Sequence, residues 1–160
     1  MSAAFTRERL DDLGFTGFLS VRSLVATRCL EVPAGEGVYV VVRPTLSRPT
    51  FLTRSVGGWF KGKDPTVDVA VLRRRWLADT PVLYFGKAGT SLRRRVSALI
   101  AYGSGKPVSH QGGRYLWQVS GSPAFMIGWN ACSTSRVRES ILLAEFEKAH
   151  GQLPFANLSH

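Results

Sequence analysis

The sequence predicts a single α/β domain built around a small sheet, and three observations support this fold class. Hydrophobic side chains make up 44% of the 160 residues and charged ones 20%, a balance typical of one compact domain and too apolar for a disordered chain. Short β-branched runs at 38–42 and 81–85 indicate buried strands. Helical patterns with capping residues, at 91–102 and 136–150, complete the α/β order.

The first half of the chain has one clear strand between two less regular segments. Residues 1–35 form a weakly specified lead-in, in which Thr6 begins a short helix. The strand at 38–42 follows a glycine-rich turn. From 45 to 80 the composition changes to Pro, Gly, Ser, Arg and Lys, which indicates an insertion, and its segment 68–79 has a helical pattern.

The second half alternates strands and helices. The strand at 81–85 leads through a glycine turn into a helix for which either Thr90 or Ser91 can supply the N-cap. Gly151 ends the last helix, because glycine readily adopts the left-handed conformation of a C-cap. The rest is predicted as a loop at 109–114, strands at 115–119 and 125–129, and a helix at 136–150.

The charge balance predicts a polyanionic partner. The chain has 21 Lys and Arg against 11 Asp and Glu, a net charge of +10, and such an excess favours phosphate backbones. Only two cysteines are present, no apolar run is long enough to cross a membrane, and the first residues lack the apolar core of a secretory signal. We therefore expect a cytoplasmic protein with no disulfide framework and no membrane partner.

Glu139 is the most informative polar residue, because it falls on the apolar side of the last helix. At about 100° per residue, Leu142, Leu143 and Phe146 form one stripe, and Glu139 lies near its middle. A carboxylate aimed at the core needs a cation, a metal or a hydrogen-bond network beside it. The alternative is an exposed glutamate that favours the helix N-terminus.

Basic and tyrosyl side chains supply further candidates. Arg94 points outward from the helix at 91–102, while Arg93 and Arg95 flank its inward stripe on opposite sides, and the helical wheel does not choose between them. Either guanidinium could hold a phosphate through two hydrogen bonds, or all three could form a solvated face. Tyr39 and Tyr84 lie on the two clearest strands, where packing is the usual role of tyrosine.

Five short motifs together resemble the GIY-YIG nuclease superfamily over about residues 36–158. They run in the family's order along the chain: Gly37-Val38-Tyr39, Tyr84-Phe85-Gly86-Lys87-Ala88, Leu92 with Arg95, Glu139, and Leu153-Pro154-Phe155-Ala156-Asn157. The resemblance implies a three-stranded antiparallel sheet flanked by helices. It also implies that the whole chain, 1–160, is one nuclease-like domain with the 45–80 segment inserted between the two tyrosine motifs.

The same resemblance implies roles for individual residues. Arg95 matches the catalytic arginine and Lys87 the lysine of repair-type members. Glu139 matches the metal-binding glutamate, although the spacing of Glu145 to Asn157 also resembles some members, and the helical wheel favours Glu139. The implied cofactor is Mg²⁺ or Mn²⁺, held by Glu139 and phosphate oxygens.

The expected reaction is hydrolysis of DNA, duplex or branched. Tyr39 or Tyr84, with a pKa lowered by its cationic surroundings, would take the proton from water, while Arg95 and Lys87 stabilise charge on the phosphate. Asn157 would hydrogen-bond the tyrosine or the substrate. Cleavage of both strands would call for a homodimer.

Departures from the family leave some points open. Some members carry a histidine one turn after the arginine, where this chain has Leu99, and His110 is a candidate substitute from the loop at 109–114. The insertion either contacts DNA or packs through apolar residues. Further candidate DNA contacts are Arg93, Arg94, Arg114, Lys61 and Lys63. The alternative functions are a non-catalytic DNA-binding module on the same fold and an RNA-binding domain.

Overall fold

The structure is a computed structural model that describes residues 4–108 and 111–160. It is a mixed α+β fold in which helices flank one antiparallel sheet of four strands, in the order β1-β4-β2-β3. The strands are β1 (Thr16–Ser20), β2 (Gly37–Val42), β3 (Val82–Ala88) and β4 (Met126–Ala131). The helices are α1 (Arg7–Asp12), α2 (Val21–Ala26), α3 (Val69–Arg75), α4 (Leu92–Gly103) and α5 (Ser135–His150).

The expectation of three strands is wrong by one, because β1 also joins the sheet. Its sequence carries no alternating apolar pattern, and its pairing with β4 shifts register between Gly17 and Leu19. Gly17 and Phe18 both have positive φ values, 88° and 53°, at this irregularity. Because the strand is bent here, its sequence lacks the alternating pattern from which strands are predicted. Its pairing with β4 is seen only in the folded structure.

Strand β2 divides the interior into two cores because successive side chains point to opposite faces. Tyr39 and Val41 pack into the core that includes α4, whereas Val38, Val40 and Val42 pack into the core that includes α5. All six β2 residues are buried. The sheet therefore lies between α4 and α5, and each helix covers one face.

The caps of α4 and α5 fix the two helix beginnings that meet at one end of the sheet. The Ser91 hydroxyl accepts from the Arg94 N–H, which selects Ser91 over Thr90 as the cap of α4. No cap bond comes from Thr134 in α5; the Glu36 carboxylate accepts instead from the N–H and hydroxyl of Ser135, at 3.1 and 2.7 Å. Gly151 ends α5 with φ 80°.

The strand expected at 115–119 is also a wrong prediction. Residues Gln111–Gln118 form a 3₁₀ segment, and Val119 alone makes a bridge, to Phe51. Tyr115, Leu116 and Trp117 are all buried within this 3₁₀ segment. The apolar run therefore reflects burial in the core rather than strand pairing.

The insertion at 45–80 is packed against the domain. Its predicted helix is α3, whose cap, Asp68, accepts from the Ala70 N–H, and Leu72 is fully buried. The Gln118 side chain donates to the carbonyls of Leu52 and Val67, at 2.9 and 2.7 Å, and accepts from the Val67 N–H. Part of the insertion is thus structural. In the described part of the chain, no helix is long and apolar enough to cross a membrane.

Candidate active site

A cavity of about 590 Å³ lies where the first turns of α4 and α5 approach the end of β3. Its walls come from β2, β3, the turn after β3, α4, the 3₁₀ segment, α5 and the chain after α5. Seven residues predicted from sequence line it: Tyr39, Tyr84, Lys87, Arg94, Arg95, Glu139 and Asn157. Residues up to 118 positions apart in sequence are thereby brought to one place.

The two tyrosines form the floor of this cavity. Their ring centroids are 6.1 Å apart with an interplanar angle of 43°. Gly86 makes room for the Tyr39 ring, because a Cβ atom at position 86 would lie 2.2 Å from the Tyr39 Cζ. A glycine in the interior of a strand often marks such a close approach.

Burial raises the pKa of both tyrosines, and for Tyr39 it does so well above the usual range. Glu139 raises both pKa values further, and Arg95 lowers both. A hydrogen bond between the side chains raises the pKa of Tyr39 and lowers that of Tyr84. The expectation of lowered pKa values is therefore wrong for the protein alone, because loss of water outweighs the single guanidinium.

Lys87 and Glu139 form an ion pair in the cavity wall. The Lys87 Nζ lies 3.3 Å from the Glu139 Oε1, and the Glu139 side chain is 14% exposed. The inward position that the wheel gave Glu139 is thus confirmed, and a cation accompanies it. Glu145 lies elsewhere, with its carboxylate 3.2 Å from the Arg9 guanidinium.

The first N–H groups of α4 are already bonded within the protein. Those of Leu92 and Arg93 donate to carbonyls of the 33–35 loop, and that of Arg94 donates to Ser91. A helix N-terminus binds anions mainly through such N–H groups. Anion binding at this end of α4 must therefore come from side chains.

The three consecutive arginines of α4 have different surroundings. Arg94 and Arg95 line the cavity. Arg93 does not line it and instead donates to the carbonyls of Val32 and Leu30, at 3.0 and 3.2 Å. Arg93 thus holds the loop before β2.

Asn157 lines the cavity but its amide is committed to the backbone of β3. Its Oδ1 accepts from the Phe85 N–H and its Nδ2 donates to the Phe85 carbonyl, both at 2.9 Å. The Ala156 N–H also donates to the Leu83 carbonyl. Asn157 therefore extends the edge of the sheet as an extra strand residue would, and it is not hydrogen-bonded to either tyrosine as had been expected.

The remaining candidates lie outside the cavity wall. Lys61 and Lys63 belong to an exposed turn of the insertion, and the Arg114 guanidinium lies over the Tyr115 ring, 5.4 Å from its centroid. His110 lies outside the described residues. His160 reaches the cavity wall, with its Nε2 3.1 Å from the Glu147 Oε1, and no sequence motif marked it.

The cavity is electropositive apart from Glu139. Its described wall carries the cations Lys87, Arg94 and Arg95 and one carboxylate side chain. Across residues 4–108 and 111–160, no three His, Cys, Asp or Glu side chains cluster as a metal site. No family model matches the sequence, and neither a curated protein nor a solved structure matches it.

Proposed function

We propose that this protein is a metal-dependent DNA endonuclease of the GIY-YIG type that hydrolyses phosphodiester bonds. The observation that carries the proposal is the convergence of two tyrosines, Lys87, Arg95 and Glu139 on one cavity, from four separate elements. This set provides a proton acceptor, cations for a phosphate and one carboxylate for a hard metal ion. The net charge of +10 supports a polyanionic substrate.

Phosphate stabilisation falls to Lys87, Arg94 and Arg95. Charge develops on the nonbridging oxygens as the phosphodiester is attacked, and cations already positioned around the cavity stabilise it. Lys87 is now paired with Glu139, but an ion pair that is half open to water is worth at most about 1 kcal/mol. Lys87 can therefore exchange its carboxylate partner for a phosphate at little cost.

Glu139 is the residue that would hold the divalent cation. Mg²⁺ is commonly bound through one or two carboxylates, with water and substrate phosphate completing the shell, and Glu139 provides a carboxylate at the wall of an open cavity. A cation there would supply electrophilic stabilisation of the phosphate oxygens and a more acidic water. The donor set fits this type of ion and does not resemble a site closed by protein ligands alone.

Tyr84 is the better placed of the two tyrosines to accept a proton. We assign Tyr39 as the donor of their hydrogen bond, because this bond lowers the pKa of Tyr84, and Arg95 acts in the same direction. In the reaction the Tyr84 phenolate takes a proton from water, the water oxygen forms the new bond to phosphorus, and the bond from phosphorus to the leaving sugar oxygen breaks, with that oxygen taking a proton from solvent. Tyr39 positions Tyr84.

Nicking of supercoiled plasmid tests this proposal directly. Wild type is compared with Glu139→Gln and with the matched control Glu145→Gln, in EDTA, Mg²⁺ and Mn²⁺. We expect nicking only with metal, a loss of at least about 100-fold in Glu139→Gln, in line with the loss of a key electrostatic group, and wild-type activity in Glu145→Gln.

Two outcomes of these assays would contradict the proposal. Equal activity of wild type and Glu139→Gln would overturn the assignment of the metal ligand. Duplex binding with a steep salt dependence, but without products on plasmid or branched DNA in either metal, would instead favour the non-catalytic DNA-binding module.

A further inference from the structure

An exposed tryptophan stands on a short hairpin of the insertion, which we name the Trp59 hairpin (residues 57–63). Among the described residues Trp59 is the one aromatic side chain among the strongly exposed large apolar groups, with 53% of its surface open. Its neighbour Phe60 packs against the core, and Gly57 and Gly58 are buried. Trp59 is therefore exposed although the residues on either side of it, Gly58 and Phe60, are packed against the domain.

The hairpin is fixed in place by backbone contacts. The Gly58 N–H donates to the Tyr102 carbonyl at 2.8 Å, and a Cβ atom at position 58 would lie 1.9 Å from the Lys106 carbonyl oxygen. At the tip, Phe60 pairs with Lys63 across Lys61 and Gly62, which have φ values of 53° and 72°. Two central residues with positive φ are typical of the tight turn that closes two-residue hairpins.

Basic residues share the hairpin with Trp59. Lys61 and Lys63 lie on the exposed tip, with the Lys61 Nζ 5.4 Å from the centroid of the Phe60 ring, and the Lys106 backbone lies beside Gly58 at the base. The acidic residue next to the tip is Asp64, whose carboxylate accepts from the Thr66 N–H. An exposed aromatic face on a segment that also carries lysines is suited to a polynucleotide, because phosphates can meet the cations while a base stacks on the ring.

Helix α4 connects this hairpin to the cavity. Arg94 and Arg95 near the start of α4 line the cavity, whereas Tyr102 near its end holds the hairpin. The seven residues from Arg95 to Tyr102 span roughly 10 Å at 1.5 Å per residue. Duplex DNA rises about 3.4 Å per base pair and an unpaired strand can extend further, so Trp59 would lie within a few nucleotides of a phosphate held in the cavity.

We propose that the Trp59 hairpin is a second nucleic-acid site, which stacks Trp59 on an unpaired base of the strand whose phosphate occupies the cavity. Paired bases are already stacked inside a duplex, so the indole face can meet only a base that is single-stranded or displaced. The preferred substrate therefore carries a single-stranded segment beside the scissile phosphate. This inference rests on the proposed function only in taking the partner to be a polynucleotide.

Binding is measured in EDTA, so that it does not depend on cleavage. Labelled oligonucleotides are a blunt duplex, the same duplex with a thymidine tail, and single-stranded thymidine and uridine strands, each followed by fluorescence anisotropy. We expect Trp59→Ala to weaken binding of the tailed and single-stranded forms by about 5- to 100-fold, with little change for the blunt duplex. Trp59→Phe should retain most of the affinity.

Two further variants separate stacking from general effects. Leu46→Ala removes another exposed apolar side chain of the insertion, 57% exposed, and should leave all affinities unchanged. Replacing Lys61 and Lys63 together by Gln should weaken the binding of every substrate and reduce the salt dependence of the affinity. Tryptophan emission of the wild type should be quenched by the thymidine strand and not in Trp59→Ala, since Trp117 and Trp129 are buried and Trp76 packs against the Phe155 ring.

Three results would overturn the proposal. The first is equal affinity of Trp59→Ala and wild type for the tailed duplex, and the second is an equal loss for tailed and blunt forms. The third is a Trp59 emission shift with vesicles of anionic phospholipid but none with oligonucleotides. Tail-dependent binding without any nicking would uphold this site while contradicting the proposed nuclease activity.

Discussion

Replacing Asn157 by Ala should destabilise the protein much more than it impairs chemistry. The Asn157 amide makes two hydrogen bonds to the backbone of Phe85, and both are buried. Each bond contributes about 0.5–1.5 kcal/mol, and leaving a buried N–H or carbonyl unsatisfied costs about 1–3 kcal/mol. Because water can reach part of this sheet edge through the cavity, we expect a loss of about 2–4 kcal/mol in the free energy of unfolding.

The loss is measured by urea unfolding and by thermal melting. For a chain of this length about 1 kcal/mol corresponds to 2–4 °C in Tm, so Asn157→Ala should melt about 5–15 °C below the wild type. Asn157→Asp should also be destabilised, since its carboxylate can accept from the Phe85 N–H but faces the Phe85 carbonyl without a proton to donate. The nicking rate well below Tm should fall only a few-fold.

Asn130→Ala is the matched control, because the Asn130 Nδ2 makes a single surface hydrogen bond, to the Gly14 carbonyl at 3.0 Å. This substitution should lower the free energy of unfolding by about 1 kcal/mol or less. The reasoning would be refuted if Asn157→Ala kept the wild-type Tm while nicking was abolished. The amide would then act on the substrate or on a tyrosine.

Three further predictions follow from contacts around the cavity. Glu36→Ala removes the carboxylate that caps α5 and should cost about 1–2 kcal/mol in urea unfolding, with Ser135→Ala giving a smaller loss. Tyr39→Phe removes the donor that lowers the pKa of Tyr84, so the pH at which the nicking rate levels off should rise. Gly86→Ala places a methyl group against the Tyr39 ring and should reduce both stability and nicking rate.

Each of these has a result that would contradict it. An unchanged urea midpoint in Glu36→Ala would mean that the carboxylate does not cap the helix in solution. If the pH profile of Tyr39→Phe overlaid that of the wild type, Tyr84 would not be the base. For Gly86→Ala, wild-type melting and activity would show that the Tyr39 ring does not lie against position 86.

Local patterns in the sequence predicted most of the regular elements. The β-branched runs correspond to β2 and β3, and the helix expected at 136–150 corresponds to α5, which begins at Ser135. These succeed because hydrophobic period and capping chemistry act over a few residues. The inward position of Glu139 could be predicted for the same reason, because a helical wheel depends only on the spacing of residues along one helix.

The wrong predictions have a common physical cause, which is that distant contacts decided the conformation. Strand β1 has two residues of positive φ and is stabilised by pairing with β4, more than 100 residues later. The 111–118 segment is buried in the core and does not pair as a strand. In both places local propensity was overridden by tertiary packing.

By itself the sequence determined three of the four strands of the sheet, the two long helices, the inward-facing Glu139 and the basic charge, because periodicity and composition encode them locally. Only the tertiary structure decided what each polar group does. Asn157 meets Phe85 across 72 residues and Glu36 meets Ser135 across 99, so neither role has a local signal. The raised pKa values of the tyrosines likewise depend on burial, which exists only once the chain is folded.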